Sequence, residues 1–127
     1  MSNIKYNEKE EAFELPYKLW DEMMTVRFYV EDEQTIMDNL SDIAAKLEKV
    51  NGSKDRIVRL IEDDGYSEGS TDKFMSGIKI ISVYVDIDEE DGAVVCFSVD
   101  CSNGSLMDKL SLELYDDEFE VLGWDNA

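Results

Sequence analysis

Residues 86–92, Asp-Ile-Asp-Glu-Glu-Asp-Gly, set Asp86, Asp88, Glu90 and Asp91 ahead of Gly92 at roughly the spacing of an EF-hand calcium loop. Such a loop needs glycine at its sixth position and a bidentate glutamate at its twelfth. Counted from Asp86, those positions hold Asp91 and Phe97, and the flanking residues alternate like strands rather than helices. The stretch is therefore expected to be a hairpin turn. A three-residue loop Glu90-Asp91-Gly92, with glycine in the left-handed region, would pair Val85 with Phe97. Weak cation binding by these carboxylates stays open, because oxygen-rich loops bind hard cations without a dedicated cage.

Other chemistry is sparse. The chain has no histidine, which removes the commonest general base and the commonest metal ligand together. Two cysteines are too few for an all-thiolate zinc site. Carboxylate pairs abound, but among 31 acids in 127 residues proximity alone carries no meaning. Cys96 has no base near it in sequence to lower its pKa, so it reads as a packing residue. No catalytic activity and no cofactor are expected.

Charge is the outstanding property: 31 acids against 12 bases give a net charge of −19. Residues 77–127 carry 13 of the acids and only 2 bases. A field of this sign repels nucleic acid and anionic membranes and steers cationic partners inward, although it also serves solubility. No apolar run is long enough to span a bilayer, and the N-terminal residues show no apolar signal segment. Cys96 and Cys101 would sit ~16 Å apart along a strand, beyond disulfide reach. Free thiols without an export signal point to the cytoplasm.

The elements that position these residues follow from periodicity. One domain is expected over 1–127, with residues 1–10 frayed. Phe13, Leu15, Tyr17 and Leu19 alternate, as do Met24, Val26, Phe28 and Val30. A loop centred on Asp21-Glu22 would pair Leu19 with Met24, Tyr17 with Val26 and Leu15 with Phe28. Pro16 lacks an amide hydrogen, which puts its strand at a sheet edge. Ile36, Leu40, Ile43, Ala44, Leu47 and Val50 make one helical stripe, capped by Asp32 and stopped at Asn51-Gly52. Ser53 can cap a second helix carrying Ile57, Leu60 and Ile61 and ended by Gly65, and residues 66–77 read as a loop.

From Ile78 the period is two. Ile81, Val83, Val85 and Ile87 are expected inward, with Ala93, Val95, Phe97 and Val99, then Leu110, Leu112 and Leu114, then Phe119 and Val121. Asn103-Gly104 as a two-residue turn would pair Phe97 with Leu110 and Val95 with Leu112. A loop at Asp116-Asp117 would pair Leu114 with Phe119. The fold class is α+β: a predominantly antiparallel sheet of about six strands, an N-terminal hairpin plus a C-terminal four-strand meander, with two helices packed on one face.

This meander brings the 88–92 and 116–117 turns to one end. Asp86, Asp88, Glu89, Glu90, Asp91, Asp116, Asp117 and Glu118 would cluster there, and Tyr84 and Tyr115 would lie on the outer face beside Ile78, Ile80, Val94 and Cys96. An apolar patch rimmed by acids suits a protein contact, including a homodimer through the sheet. Trp20 and Trp124, near chain turns, suit either an interface anchor or the core edge.

The order of elements, a hairpin over "FELPYKLW" and "TVRFYV", two helices, then a meander ending "LSLELYDDEFEVLGW", resembles small acidic bacterial domains of unknown function grouped with polymorphic-toxin immunity proteins. The resemblance implies stoichiometric binding of a cognate toxin, often a basic nuclease; it carries over no site residue. The expected function is non-catalytic docking of a cationic protein, with toxin immunity as its specific form. The alternatives are a nucleic-acid mimic that inhibits a DNA-binding enzyme and a self-associating structural domain.

Overall fold

The computed structural model describes residues 4–88, 90 and 92–125. Seven strands, β1 (Lys5–Asn7), β2 (Ala12–Leu19), β3 (Glu22–Phe28), β4 (Ile78–Asp88), β5 (Gly92–Cys101), β6 (Leu110–Tyr115) and β7 (Glu118–Trp124), form one sheet in sequential order. Every neighbouring pair is antiparallel except β3 and β4. A parallel pair needs a long crossover. Four helices supply it: α1 (Glu33–Asp38), α2 (Leu40–Gly52), α3 (Lys54–Asp63) and α4 (Thr71–Gly77). Their buried residues join one core with the inner side chains of the sheet.

The α+β class is as expected, with one more strand and two more helices. The extra strand, β1, pairs with β2 inside the segment expected to fray. Asn39 divides the first expected helix, because its side-chain amide donates to the Thr35 carbonyl and its backbone leaves helical geometry at φ −113°. Ala44 turns out exposed, and Lys46 is buried in the stripe instead. Asp32 caps α1 as expected, while Ser53 precedes α3 without a side-chain capping bond. The expected loop over 66–77 contains α4, which Ser70 caps and whose Phe74 is fully buried.

Three registers differ by two residues, which preserves the buried face in each case. Trp20 and Asp21 both take positive φ and make a two-residue turn, so Leu15 meets Val26 and Tyr17 meets Met24. Trp20 is held there by α2: its backbone N–H donates to Asn51 Oδ1 at 2.8 Å and its indole N–H to the Val50 carbonyl at 3.0 Å. Asn103-Gly104 is not a hairpin turn. Asn103 Oδ1 accepts from Ser105 while its amide donates to the Lys73 carbonyl, pinning a longer loop to α4. Phe97 therefore faces Leu112, and Val95 faces Leu114. At the acidic turn Val85 faces Val95, and Gly92 is left-handed at φ +72° as expected. The Asp116-Asp117 turn pairs Leu114 with Phe119 as expected.

Two further expectations fail for local reasons. A bulge between Ile80 and Ser82 flips the alternation of β4, so Ile78 and Ile80 enter the core and Ile81 is only half-buried. Strand β2 is internal rather than an edge. Pro16 is tolerated because the described pairs of β1 stop at Glu14, leaving Pro16 beyond them.

Helix α2 grips the sheet through one backbone residue. Asp42 Oδ2 accepts from the Ala93 N–H at 2.8 Å, and Lys46 Nζ donates both to the Ala93 carbonyl and, at 3.2 Å, to Asp42. Lys46 is 7% exposed, so this ammonium is desolvated and depends on those acceptors. Gly92 sits against the pair, and a Cβ there would lie 2.7 Å from Asp42 Oδ2. Lys46→Met keeps the stem but leaves the Ala93 carbonyl without its donor, and should lower unfolding free energy by ~1–3 kcal/mol in urea titration. Gly92→Ala combines a clash with a left-handed backbone and should cost a similar ~1–3 kcal/mol. Lys49→Met, which loses two bonds to the carboxylate and carbonyl of exposed Asp117, should change the midpoint far less.

Candidate functional site

With all helices on the inner face, the outer face of the sheet carries no helix. Register arranges it in cross-strand rows. One row runs Glu14, Arg27, Tyr84, Cys96, Glu113, Glu120 from β2 to β7. Its first half neutralises itself, since Arg27 Nε donates to Glu14 at 2.9 Å. Its last half does not: Glu113 and Glu120 face each other as like charges, which destabilises a sheet. Burial first and Glu120 second push the Glu113 carboxyl above its usual range. A second row, nearer the turns, pairs Asp86 with Val94 and Tyr115 with Glu118.

Aromatic surface fills the middle. Tyr84 is 43% exposed and Tyr29 53%, and their rings meet edge to face at 5.8 Å. Tyr115 and Leu122 are also exposed. The Tyr84 phenol is pushed up to about 12, chiefly by a hydrogen bond shared with Cys96, then by burial and by the nearby Asp86 and Glu113 charges. Burial likewise raises the Cys96 thiol. Tyr84 thus presents a neutral phenol, and Cys96 is not an activated thiolate. Next to them Ser98 and Ser111 donate to the Asp125 carboxylate in a groove of about 200 Å³.

The meander does bring the two acidic turns to one end. Asp86, Asp88, Glu90, Asp116, Asp117 and Glu118 are exposed there, while Glu89 and Asp91 lie outside the described residues. Asp117 is occupied: Lys49 donates to its carboxylate at 2.9 Å and to its carbonyl at 3.0 Å, holding its carboxyl below the usual range. Tyr84, Asp86, Tyr115 and Glu118 lie on the open face, whereas Glu90 and Asp116 belong to the turns. The sequence reading missed Tyr29, Glu113, Glu120 and Leu122. Glu113 and Glu120 were legible in principle, because alternation places them opposite Leu112, Leu114 and Val121. Both tryptophans are structural: Trp20 holds α2, and Trp124 packs edge to face on Tyr66 at 5.2 Å. Cys96 and Cys101 are free and buried. Among the described residues no group of three or more metal-capable side chains converges.

A second phenol, Tyr17, donates to Glu48 and is also pushed up to about 12, mainly by burial. Unfolded tyrosines ionise near ~10. The folded state therefore retains these two protons while the unfolded state loses them, so stability present below pH 10 falls as pH rises through 10 to 12. Ultraviolet titration should show late tyrosine ionisation near pH 12 from Tyr17 and Tyr84, and Tyr84→Phe should remove one late step. Glu113 has the same sign in acid, because its folded carboxyl holds the proton more tightly. Glu113→Gln should therefore stabilise the protein at neutral pH, with the gain vanishing as pH falls below the carboxylate range.

The chain matches no family model, no curated protein and no solved structure.

Proposed function

We propose that this chain is a non-catalytic acidic binding protein that docks a cationic protein partner on the helix-free face of its sheet, with toxin immunity as the specific form. The observation that carries the reading is the composition of that face. Tyr29, Tyr84 and Leu122 are exposed between Asp86, Glu113, Glu118 and Glu120, and no lysine or arginine among the described residues pairs with those four carboxylates. Carboxylates at the rim speed encounter with a basic protein, and the aromatic patch supplies most of the affinity once water is excluded.

The distribution of bases supports the same polarity. Five of the 12 bases, Lys46, Lys49, Lys54, Arg56 and Arg59, fall on α2 and α3, on the helix side of the molecule. On the open face Arg27 is already paired to Glu14, and the other strand-borne bases, Lys5, Lys18 and Lys79, lie on β1, β2 and β4 rather than on β6 and β7, which carry Glu113, Glu118 and Glu120. A nucleic-acid mimic would need an unbroken acidic stripe, whereas Tyr84, Val94 and Cys96 interrupt the carboxylates here. A homodimer through this face would set Glu113 and Glu120 against their own copies. No helix is long and apolar enough to cross a membrane, and the two unlinked thiols support a reducing compartment such as the cytoplasm.

Affinity capture from the source cell's lysate, at low and moderate salt and with heparin as competing polyanion, tests the reading. One basic protein held stoichiometrically through both treatments is the expected result. A mixture of basic proteins washed away by either one would reduce the charge to a solubility device.

A further inference from the structure

The two edges of the sheet are unlike. Strand β1 has three residues, whereas β7 has seven and, among the described residues, pairs only with β6. Natural edge strands are guarded by shortness, charged side chains (lysine above all), proline, bulges or a covering element. Strand β7, Glu-Phe-Glu-Val-Leu-Gly-Trp, has neither proline nor lysine; its charges are Glu118 and Glu120, a guard against other acidic chains but not against a basic one. Its irregularity is confined to the C-terminal half, where the register shifts before Gly123 at φ +126°. Residues 118–121 remain a regular edge.

A groove of about 500 Å³ runs beside that edge, between β7 and α3, lined by Arg56, Arg59, Leu60, Glu118 and Phe119 with Asp55 and Asp63. The Arg56 guanidinium lies over the Phe119 ring at 5.7 Å. Arg59 makes no ion pair among the described residues, in a chain with more than twice as many acids as bases. The groove thus lies on the helix side of the place a next strand would occupy. On the other side Glu118 and Glu120 project from the outer face, with Glu113 one strand further in.

We infer that the cationic partner adds an eighth strand to the free edge of β7. This rests on the docking reading above and specifies its geometry. Side chains alternate across a sheet, so the added strand meets two different surfaces. Its outward residues lie beside Glu118 and Glu120 and are lysine or arginine. Its inward residues lie on Leu60 and Phe119 and are apolar, with any carboxylate falling to Arg59. Main-chain hydrogen bonds supply affinity, and this alternation supplies specificity. A second copy is a poor occupant, since each chain brings a net charge of −19 and sets its own Glu118 and Glu120 near the junction.

The test uses the full chain, labelled with nitrogen-15, and two synthetic peptides. One is an eight-residue peptide alternating lysine with valine; the other has the same composition in separate blocks. The alternating peptide should slow hydrogen exchange of alternate amides in residues 118–121 by about tenfold or more, and the block peptide should not. Glu118→Lys with Glu120→Lys should abolish that protection. If amide shifts gather at Tyr84 and Val94 with no protection in β7, strand addition is wrong while docking on the open face stands. Protection of β7 that grows with protein concentration alone would give the edge to a second copy and overturn the inference. No response anywhere to either peptide would count against both readings.

Discussion

The Asp42–Lys46 pair on α2, closed around the backbone of Ala93, is the interaction on which the arrangement depends. A helix lying on a sheet is held mainly by apolar contact, which is non-directional and leaves its rotation and slide loosely specified. Here Ile43, Leu47 and Val50 supply that contact, and the Ala93 bonds add direction. They hold α2 at the end of the sheet where the acidic turns lie. From the same helix Lys49 reaches Asp117, and the Val50 carbonyl receives the Trp20 indole. One helix therefore ties down the β2–β3 turn, the start of β5 and the β6–β7 turn.

A division of charge follows. Bases on the helices sit beneath the acidic turns, whereas Asp86, Glu113, Glu118 and Glu120 on the outer face make no ion pair among the described residues. Burial of Glu113 opposite Glu120 stores an unfavourable interaction in the free protein. On the proposed reading, a cation brought by the partner relieves this pair, so complementarity contributes energy as well as steering. Because the Tyr84 phenol and the Cys96 thiol are both pushed above their usual ranges, they add no charge between Asp86 and Glu113.

Much of this was legible in the sequence. Alternation from Val83 onward identifies nearly every inward residue of β4 to β7, and the Asp116-Asp117 turn follows from it directly. The pairing errors are all slips of two, which alternation cannot detect because they return the same side chains to the core. Ile78 and Ile80 were misplaced because a bulge announces itself through pairing rather than through residue type. Lys46 was overlooked for a related reason. Nothing in a lysine at a stripe position says that its ammonium will reach a backbone carbonyl 47 residues away. Helix α4 had a visible signal, Ser70 four residues ahead of Phe74, masked by the glycines and polar residues around it.

The central claim is that location, not total charge, makes this acidic surface a binding site. Two variants with equal charge change separate those ideas: Asp86→Lys with Glu113→Lys on the open face, and Asp64→Lys with Glu68→Lys just past the end of α3, outside the groove beside β7. Association of each with the captured basic partner would be followed by stopped flow across a salt series. The account predicts that the open-face variant slows association and raises dissociation by well over tenfold, while the α3 variant slows association modestly and leaves dissociation unchanged. Equal behaviour of the two would contradict it, leaving the net charge as a property of solubility alone.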